Sequence, residues 1–343
     1  MYASTSLTTR TDTDLGPARP RRRRFLVAAL AAPLLALAGC GGAASSGSAS
    51  SGSASSGVGS PSAAAASPSG AQATYPVTVS AGNGQVTLAT RPKAIVSLSP
   101  SLTEMLYAVG AGAQVKAVDN QSSYPAEAPR TTLSGFKPNA EAVAGYSPDL
   151  VVLSNDSNGL VASLTKLKIP VLLLPAPATL DDSFTQELTI GAATGHPSEA
   201  KASVEKTRQR VDTAVASAPR PARPLKIYHE IDPTYYSVTS KTFIGNLYAR
   251  FGLQNIADSS PKVTGDYPQL SAEFVVSSAP DVIVLADGTC CQQSPARVAA
   301  RPAFGSVPAV VQKKVIAIDE DIASRWGPRV ADLAEALAAA LRG

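Results

Sequence analysis

The chain has 343 residues with a formal net charge of +4, and contains 3 cysteines and 2 histidines. The whole surplus lies in the first 39 residues, where Arg10, Arg19, Arg21, Arg22, Arg23 and Arg24 stand against Asp12 and Asp14, six against two. The remainder is near neutral, which excludes the basic footprint of a nucleic-acid-binding protein, and no HExxH, GxSxG or phosphate-loop pattern marks an enzyme.

The N-terminal stretch runs from basic RPRRRRF through apolar FLVAALAAPLLALAG to Cys40. A basic region followed by an apolar run shorter than about 20 residues has the form of an export signal rather than a membrane span. Leu37, Ala38 and Gly39 before Cys40 look like a bacterial lipobox, and RRRFL resembles a twin-arginine export pattern. Residues 1–39 are therefore expected to be a lipoprotein signal peptide, with Cys40 lipidated. Residues 40–74 are rich in Gly, Ser and Ala without apolar periodicity, the composition of a flexible tether with a reach of roughly 30 Å.

From residue 75 the chain reads as alternating strands and helices. RPKAIVSLS supplies a short β-branched run, and SLTE at Ser101–Glu104 fits a capping box that opens a helix closed by Gly110 and Gly112. Further on, NAEAVAGYSPDLVVL (residues 139–153) and SAEFVVSSAPDVIVL (residues 271–285) share seven of fifteen positions at an offset of 132. The same offset carries Arg91 and Pro92 onto Arg223 and Pro224. Two matches at one offset imply two similar lobes, 75–195 and 223–343, each with a capped helix, a Pro-Asp turn and a buried strand. Between them, residues 196–222 carry apolar positions at Val204, Val211 and Val215 and end in a Pro-rich stretch, the pattern of one helix of about twenty residues, roughly 30 Å long. The fold class expected is α/β: two similar Rossmann-like lobes joined by a single long α-helix, with a ligand cleft between them.

RPKAIVSLSPSLTEMLYAVG, SSYPAEAPR, the two Glu/Pro-Asp repeats, TFIGNLYARFGLQNIA and RWGPRVADLAEAL together resemble the helical-backbone class of substrate-binding proteins of ABC importers. That group includes cobalamin-, siderophore- and haem-binding proteins, and the resemblance spans about residues 90–342. It implies a monomeric binding protein without a cofactor of its own, anchored by lipid on the extracytoplasmic face of the cell membrane. It further implies a corrinoid or ferric-siderophore ligand, with haem as the alternative, and an ABC permease with its ATPase as partner. Glu141 and Glu273 occupy the places where the family presents one acidic side chain per lobe to the permease. Each also lies in a first helical turn, where the macrodipole favours a carboxylate, so docking and local stabilisation both account for it. A secreted hydrolase and a surface interaction lipoprotein are the competing readings of such a scaffold.

Ligands of open α/β sheets gather outside the carboxyl ends of the strands. That rule selects Ser99, Ser101, Ser123, Tyr124, Phe136, Lys137, Asn155 and Asp156 in the first lobe. In the second it selects Glu230, Asp232, Tyr235, Tyr236, Phe243, Cys290, Cys291, Arg325 and Trp326. The tyrosines and the single tryptophan suit stacking on a flat ligand, or else cover the edges of the core. Many cobalamin-binding relatives carry a tryptophan after the strand of the first Pro-Asp repeat, where this chain reads SNDSN; this leaves the ligand open. With two histidines in all, a bare metal ion is disfavoured as cargo. Cys290 and Cys291 are adjacent, and across a trans peptide their Cα atoms lie about 3.8 Å apart, short of the usual disulfide range. A strained vicinal disulfide and two free thiols are both compatible with an exported chain.

Overall fold

The computed structural model describes residues 74–261 and 265–343. The expected signal peptide, Cys40 and all of the tether except Thr74 lie outside these residues.

Val77, Val79, Val86 and Leu88 alternate with polar residues and pair across an antiparallel hairpin of β1 (Val77–Ala81) and β2 (Gly84–Leu88), with Val79 opposite Val86. Gly84, at φ +102°, permits the turn. The apolar runs that follow form β3 (Ile95–Leu98), β4 (Val115–Val118), β5 (Leu150–Leu153) and β6 (Val171–Leu173), a parallel sheet in the order β4-β3-β5-β6. Helices α1 (Pro100–Ala108), α2 (Ala140–Ala144), α3 (Leu160–Lys166) and α4 (Leu180–Thr194) alternate with these strands. Because helices cover a parallel sheet on both faces, β3 and β5 are buried throughout and read as continuous apolar runs. The hairpin turn seals the outer edge of β6: Gly82 N donates to Leu173 O (2.6 Å), and the Asn83 amide reaches Val171 O (3.0 Å) and Leu173 N (3.1 Å).

Helix α5 (Pro197–Ser217) then carries the chain into the second lobe, with Val204 and Val211 buried and Val215 packed against the core. Its 21 residues make it about 30 Å long. There β7 (Lys226–Glu230), β8 (Gln254–Asn255), β9 (Val282–Leu285) and β10 (Val315–Ala317) form a second parallel sheet in the order β10-β9-β7-β8. The helices of this lobe are α6 (Phe243–Arg250), α7 (Ala272–Ser278), α8 (Gly288–Cys291), α9 (Pro295–Ala299), α10 (Pro308–Val311), α11 (Glu320–Ser324) and α12 (Val330–Arg342). Helix α12 lies along α5, where Arg210 pairs with Asp332 (2.6 Å) and Glu335 (2.8 Å).

Both sheets run second-first-third-fourth in their own strand order, so the lobes share one topology. The repeat survives into the register: Ile95 faces Leu150 in the first lobe, and Ile227 faces Val282 in the second, both pairs offset by 132. The Pro-Asp turns explain why. Asp149 accepts Lys93 N (2.7 Å) and Ala94 N (2.9 Å), and Asp281 accepts Lys226 N (2.8 Å), so each aspartate pins the start of the neighbouring central strand. Asp281 is additionally gripped by Arg223 at 2.6 and 2.8 Å, which holds its carboxyl below the usual carboxylate range.

The capping box expected at Ser101–Glu104 does not form. Helix α1 starts at Pro100 behind an N-cap Ser99 whose side chain makes no cap bond, and both box residues are buried. Ser101 Oγ accepts Trp326 N (3.2 Å) and Glu104 binds two arginines of the distant C-terminal segment. Tertiary partners have taken both groups from local capping.

Candidate functional site

The carboxyl ends of the two sheets meet through the segment after β10. Asp321 at the start of α11 accepts from Ser123 Oγ, beyond β4, and pairs with Arg325 four residues on. Arg325 reaches into the first lobe, donating to Gln121 O (2.9 Å) and lying 3.3 Å from Glu104 Oε1; Arg329 binds the same oxygen at 2.6 Å. The Trp326 ring packs against the cores of both lobes, its Nε1 donates to Gln186 (3.2 Å), and its carbonyl accepts from Ser183 Oγ (2.5 Å). This seam joins residues more than 200 positions apart in the chain.

The seam corrects several expectations. Arg325 is 8% exposed and committed to Glu104, Asp321 and Gln121, and Trp326, half-buried, packs between the cores, so both are engaged in joining the lobes. Ser99, the N-cap of α1, and Ser101, in its first turn, are buried, and Phe243 is buried in the second-lobe core at the start of α6. Glu230 is fully buried: Arg301 grips both carboxylate oxygens at 2.5 and 2.6 Å, and Tyr228 OH donates at 3.1 Å. Each was selected for its place at a strand end, but a strand end also abuts the next helix, and burial there wins.

The other selected residues do reach the surface. Tyr124 is 46% exposed and Phe136 74%, with Lys137, Asn155 and Asp156 also exposed; in the second lobe Tyr236 is 40% exposed. Phe136 is lifted by Gly135, where a Cβ would come within 2.8 Å of Leu98 O and 2.9 Å of Asp119 Oδ2, so only glycine lets this loop press onto the end of β3. Asn155 and Asp156 order their own loop, Asn155 Oδ1 accepting from Ser157 N (3.2 Å) and Asp156 Oδ1 from Val161 N (2.8 Å). The Arg329 guanidinium sits 4.3 Å over the Tyr124 ring, and a cavity of about 390 Å³ opens beside it, lined by Glu104, Tyr107, Arg210 and Asp332. Asp232 accepts Thr234 N (2.7 Å) and shapes the turn to Tyr235. Tyr235 is half-buried, stacked on Phe304 with centroids 6.2 Å apart and flanked by Arg301 at 5.5 Å.

Strand-end reasoning missed three residues. Tyr267 is 57% exposed in the segment that pairs with Tyr236 through Gln269, and burial of part of its ring with Asp266 beside it raises its phenol above the ordinary value. Arg301 and Asp287 form the floor of the second lobe with Glu230. Both Asp287 carboxylate oxygens are buried without a partner, and burial, then the nearby Glu230 charge, pushes the group up to about 7. Asp287 stands two residues past DVIVL, after Ala286, and is legible in that sense; nothing local marks Arg301 as the partner of a residue 71 positions earlier. The floor of the first lobe is built of hydroxyls instead. Thr103 Oγ1 bonds Ser97 Oγ (2.8 Å) and Ser122 Oγ (3.0 Å), and burial raises Asp119 beside them.

Cys290 and Cys291 lie in α8, at the carboxyl end of β9, as free thiols. Successive residues of a helical turn are rotated by about 100°, so the sulfurs neighbour each other without the bridge weighed from their adjacency. Cys290 N donates to Glu320 Oε2 (3.1 Å) and its thiol faces Asp287 O (3.8 Å). Desolvation, then the neighbouring Cys291 and Glu320, pushes the Cys290 thiol up to about 12. The histidines lie elsewhere. His229 is buried against Tyr248 OH (2.6 Å) and driven down to about 4, and His196 sits beside Arg91 at 2.6 Å. Among the described residues no group of three His, Cys, Asp or Glu side chains is placed to hold a metal ion.

Glu141 and Glu273 are exposed at equivalent places, in the first turns of α2 and α7 behind the side-chain caps Asn139 and Ser271. Hydrogen bonds from its own backbone N–H and from Ser271 lower Glu273 below the usual carboxylate range. No helix among the described residues is long and apolar enough to cross a membrane.

Comparison with known proteins agrees with this architecture. A cobalamin-binding protein of Halobacterium salinarum is 33% identical over 271 residues, covering 76% of this chain and 72% of the relative. An ABC transporter substrate-binding lipoprotein of Bacillus subtilis is 30% identical over 274 residues, covering 77% and 85%. The crystal structure of the periplasmic haem-binding protein HutB of Vibrio cholerae superposes with a TM-score of 0.65 at 23% identity, over 73% of this chain and 99% of that one. These are binding proteins, not enzymes. Residues 95–322 match the periplasmic binding protein family, and the chain belongs to it.

Proposed function

We propose that this protein captures a bulky metal chelate, a corrinoid or a ferric siderophore, at the cleft edge between its lobes and delivers it to an ABC permease. The observation that carries the reading is the set of exposed aromatic rings offered from both lobes, Tyr124 and Phe136 on one side and Tyr236 and Tyr267 on the other. Such rings suit a broad ligand with apolar faces better than a small polar solute. Lys137, Asn155 and Asp156 offer polar groups at the same edge for the ligand's periphery. The cobalamin-binding relative supports the corrinoid arm. Lipidation at Cys40 would hold the protein at the extracytoplasmic face of the membrane, in line with the lipoprotein relative.

Titration of the purified chain with cobalamin, ferric hydroxamates, ferric catecholates and haem, followed by calorimetry, is expected to give saturable one-site binding for one of them. Absence of binding to all four sinks the reading. Glu141 and Glu273 would dock the two lobes onto basic groups of the permease. Glu141→Ala combined with Glu273→Ala should abolish uptake in cells and leave ligand affinity unchanged; a loss of affinity would remove docking as their role.

A further inference from the structure

The second-lobe floor holds one more buried acid than it has bases to pair. Glu230 at the end of β7 takes both arms of the Arg301 guanidinium, at 2.5 and 2.6 Å, and the Tyr228 hydroxyl at 3.1 Å. Asp287 lies beside Glu230, fully buried, and neither of its oxygens has a hydrogen-bond partner among the described residues. A buried carboxylate without a donor is strongly unfavourable, whereas a protonated carboxyl supplies its own donor and needs only an acceptor. Glu230 is that acceptor. The repeat points the same way: at the offset of 132, Asp287 corresponds to Asn155, whose side chain is neutral and carries a donor at every pH. Burial, then the Glu230 charge, holds the Asp287 proton up to about 7. The other polar groups of this cluster are the Cys290 thiol against Asp287 O (3.8 Å), Glu320, which accepts Cys290 N (3.1 Å), and Tyr235 beside Arg301. His229 turns to the opposite face of β7, against Tyr248.

We propose that Asp287 and Glu230 share one proton, and that this proton latches the α8 loop, residues 288–293, onto the second-lobe floor. The loop depends on the same groups. Cys291 N and Gln293 N donate to Asp287 O (3.2 and 3.3 Å), and Arg301 Nη2 bridges Glu230 Oε1 (2.5 Å) and Gln293 Oε1 (2.9 Å). When the proton leaves to solvent, two carboxylates face one guanidinium in a site that excludes water. Arg301 is drawn toward Asp287, and Gln293 Oε1 loses its donor. The loop then keeps only its backbone bonds to Asp287 and the Glu320 contact. Glu320 precedes Asp321, which accepts from Ser123 of the first lobe, so the loop stands at the edge of the cleft. The second-lobe wall of the cleft is therefore firm in acid and loosens above neutrality, whatever ligand the cleft takes.

The test is hydrogen exchange of the full chain, read by mass spectrometry at pH 6 and pH 8 and corrected for the intrinsic pH dependence of amide exchange. One pH unit above its titration point a carboxyl is ionised over protonated by about tenfold. Peptides covering residues 288–293 are therefore expected to lose about tenfold in protection at pH 8, while those of β7 and β9 keep theirs. Asp287→Asn, which keeps a neutral donor, should hold the loop protected at both pH values, and Gln293→Ala should leave it unprotected at both. Equal protection of the wild-type loop at the two pH values overturns the proposal, as does an unchanged loss in Asp287→Asn or a Gln293→Ala loop as protected as wild type at pH 6. A parallel loss in β7 and β9 overturns it too, because the whole lobe is then opening. Infrared spectra check the proton without touching the pair. In a Glu187→Gln background, which removes the other carboxyl raised to about 7, the band of a buried carboxylic acid should fade between pH 6 and pH 8. Its absence at pH 6 overturns the shared proton.

Discussion

The two lobes are built on one skeleton and floored with different chemistry. Leu98 at the end of β3 is apolar and packs in the first-lobe core, and its equivalent at the offset of 132 is Glu230, buried at the end of β7. The first lobe needs only hydroxyls beside that position, since Ser97, Thr103 and Ser122 satisfy one another. The second lobe must neutralise a buried carboxylate, and it does so with Arg301. That arginine comes from extra chain: Val171 follows its partner Val151 by 20 residues, whereas Val315 follows Ile283 by 32, so the link after β9 is 12 residues longer than the link after β5. The longer link holds Asp287, both cysteines and Arg301. A repeat can therefore keep its backbone register while a changed residue at one strand end buries a charge and an insertion elsewhere supplies the group that pairs with it.

Removing one member of the second-lobe floor should break this contrast most sharply. Arg301→Ala leaves Glu230 charged and unpaired in the interior, and about 3–5 kcal/mol of stability should be lost in urea unfolding. Glu230→Leu with Arg301→Met should recover most of that loss, because the second lobe then resembles the first. If the double variant is as unstable as the single one, the ion pair does more than satisfy itself.

The next effect is a pH dependence. Asp287 titrates at about 7 when folded and near 4 when unfolded, so the folded state holds an extra proton between those values and stability falls as pH rises through that window. Glu187, pushed up to about 7 by burial in α4, acts in the same direction. His229, driven down to about 4, opposes both between pH 4 and 6.5, so the carboxylates stand alone above pH 6.5. Each can contribute a slope of up to about 1.4 kcal/mol per pH unit. Urea midpoints measured between pH 6.5 and 7.5 should decline in wild type and decline less in Asp287→Asn; an unchanged slope would show that Asp287 is not the proton site.

The smallest effect concerns what the lobes share. Asn139→Ala and Ser271→Ala each remove a cap at the same point of the repeat and should each cost about 1 kcal/mol. A clearly unequal pair would show that the two capped turns are not energetically equivalent.

The two-lobe architecture was readable because it is written in local and repeated signals. Apolar runs buried on both faces, the Pro-Asp turns and a valine-spaced helix ended by prolines each act over a few residues, and the offset of 132 ties them together. The exposed carboxylates Glu141 and Glu273 and the exposed Phe136 were readable for the same reason. Other site residues were misplaced because position at a strand end does not set exposure. Ser101, Glu104, Arg325 and Trp326 meet across the seam, and no local pattern links positions 104 and 325.

The sequence by itself thus determined the paired lobes, their order of elements and the helix between them, since period, capping and turn chemistry are short-range. Only the tertiary structure decided that Arg325 and Trp326 join the lobes, that Glu230 is a buried ion pair and that Cys290 and Cys291 remain separate thiols beside Glu320. Those outcomes depend on which polar groups find partners once water is excluded, and the partners lie far away in the chain.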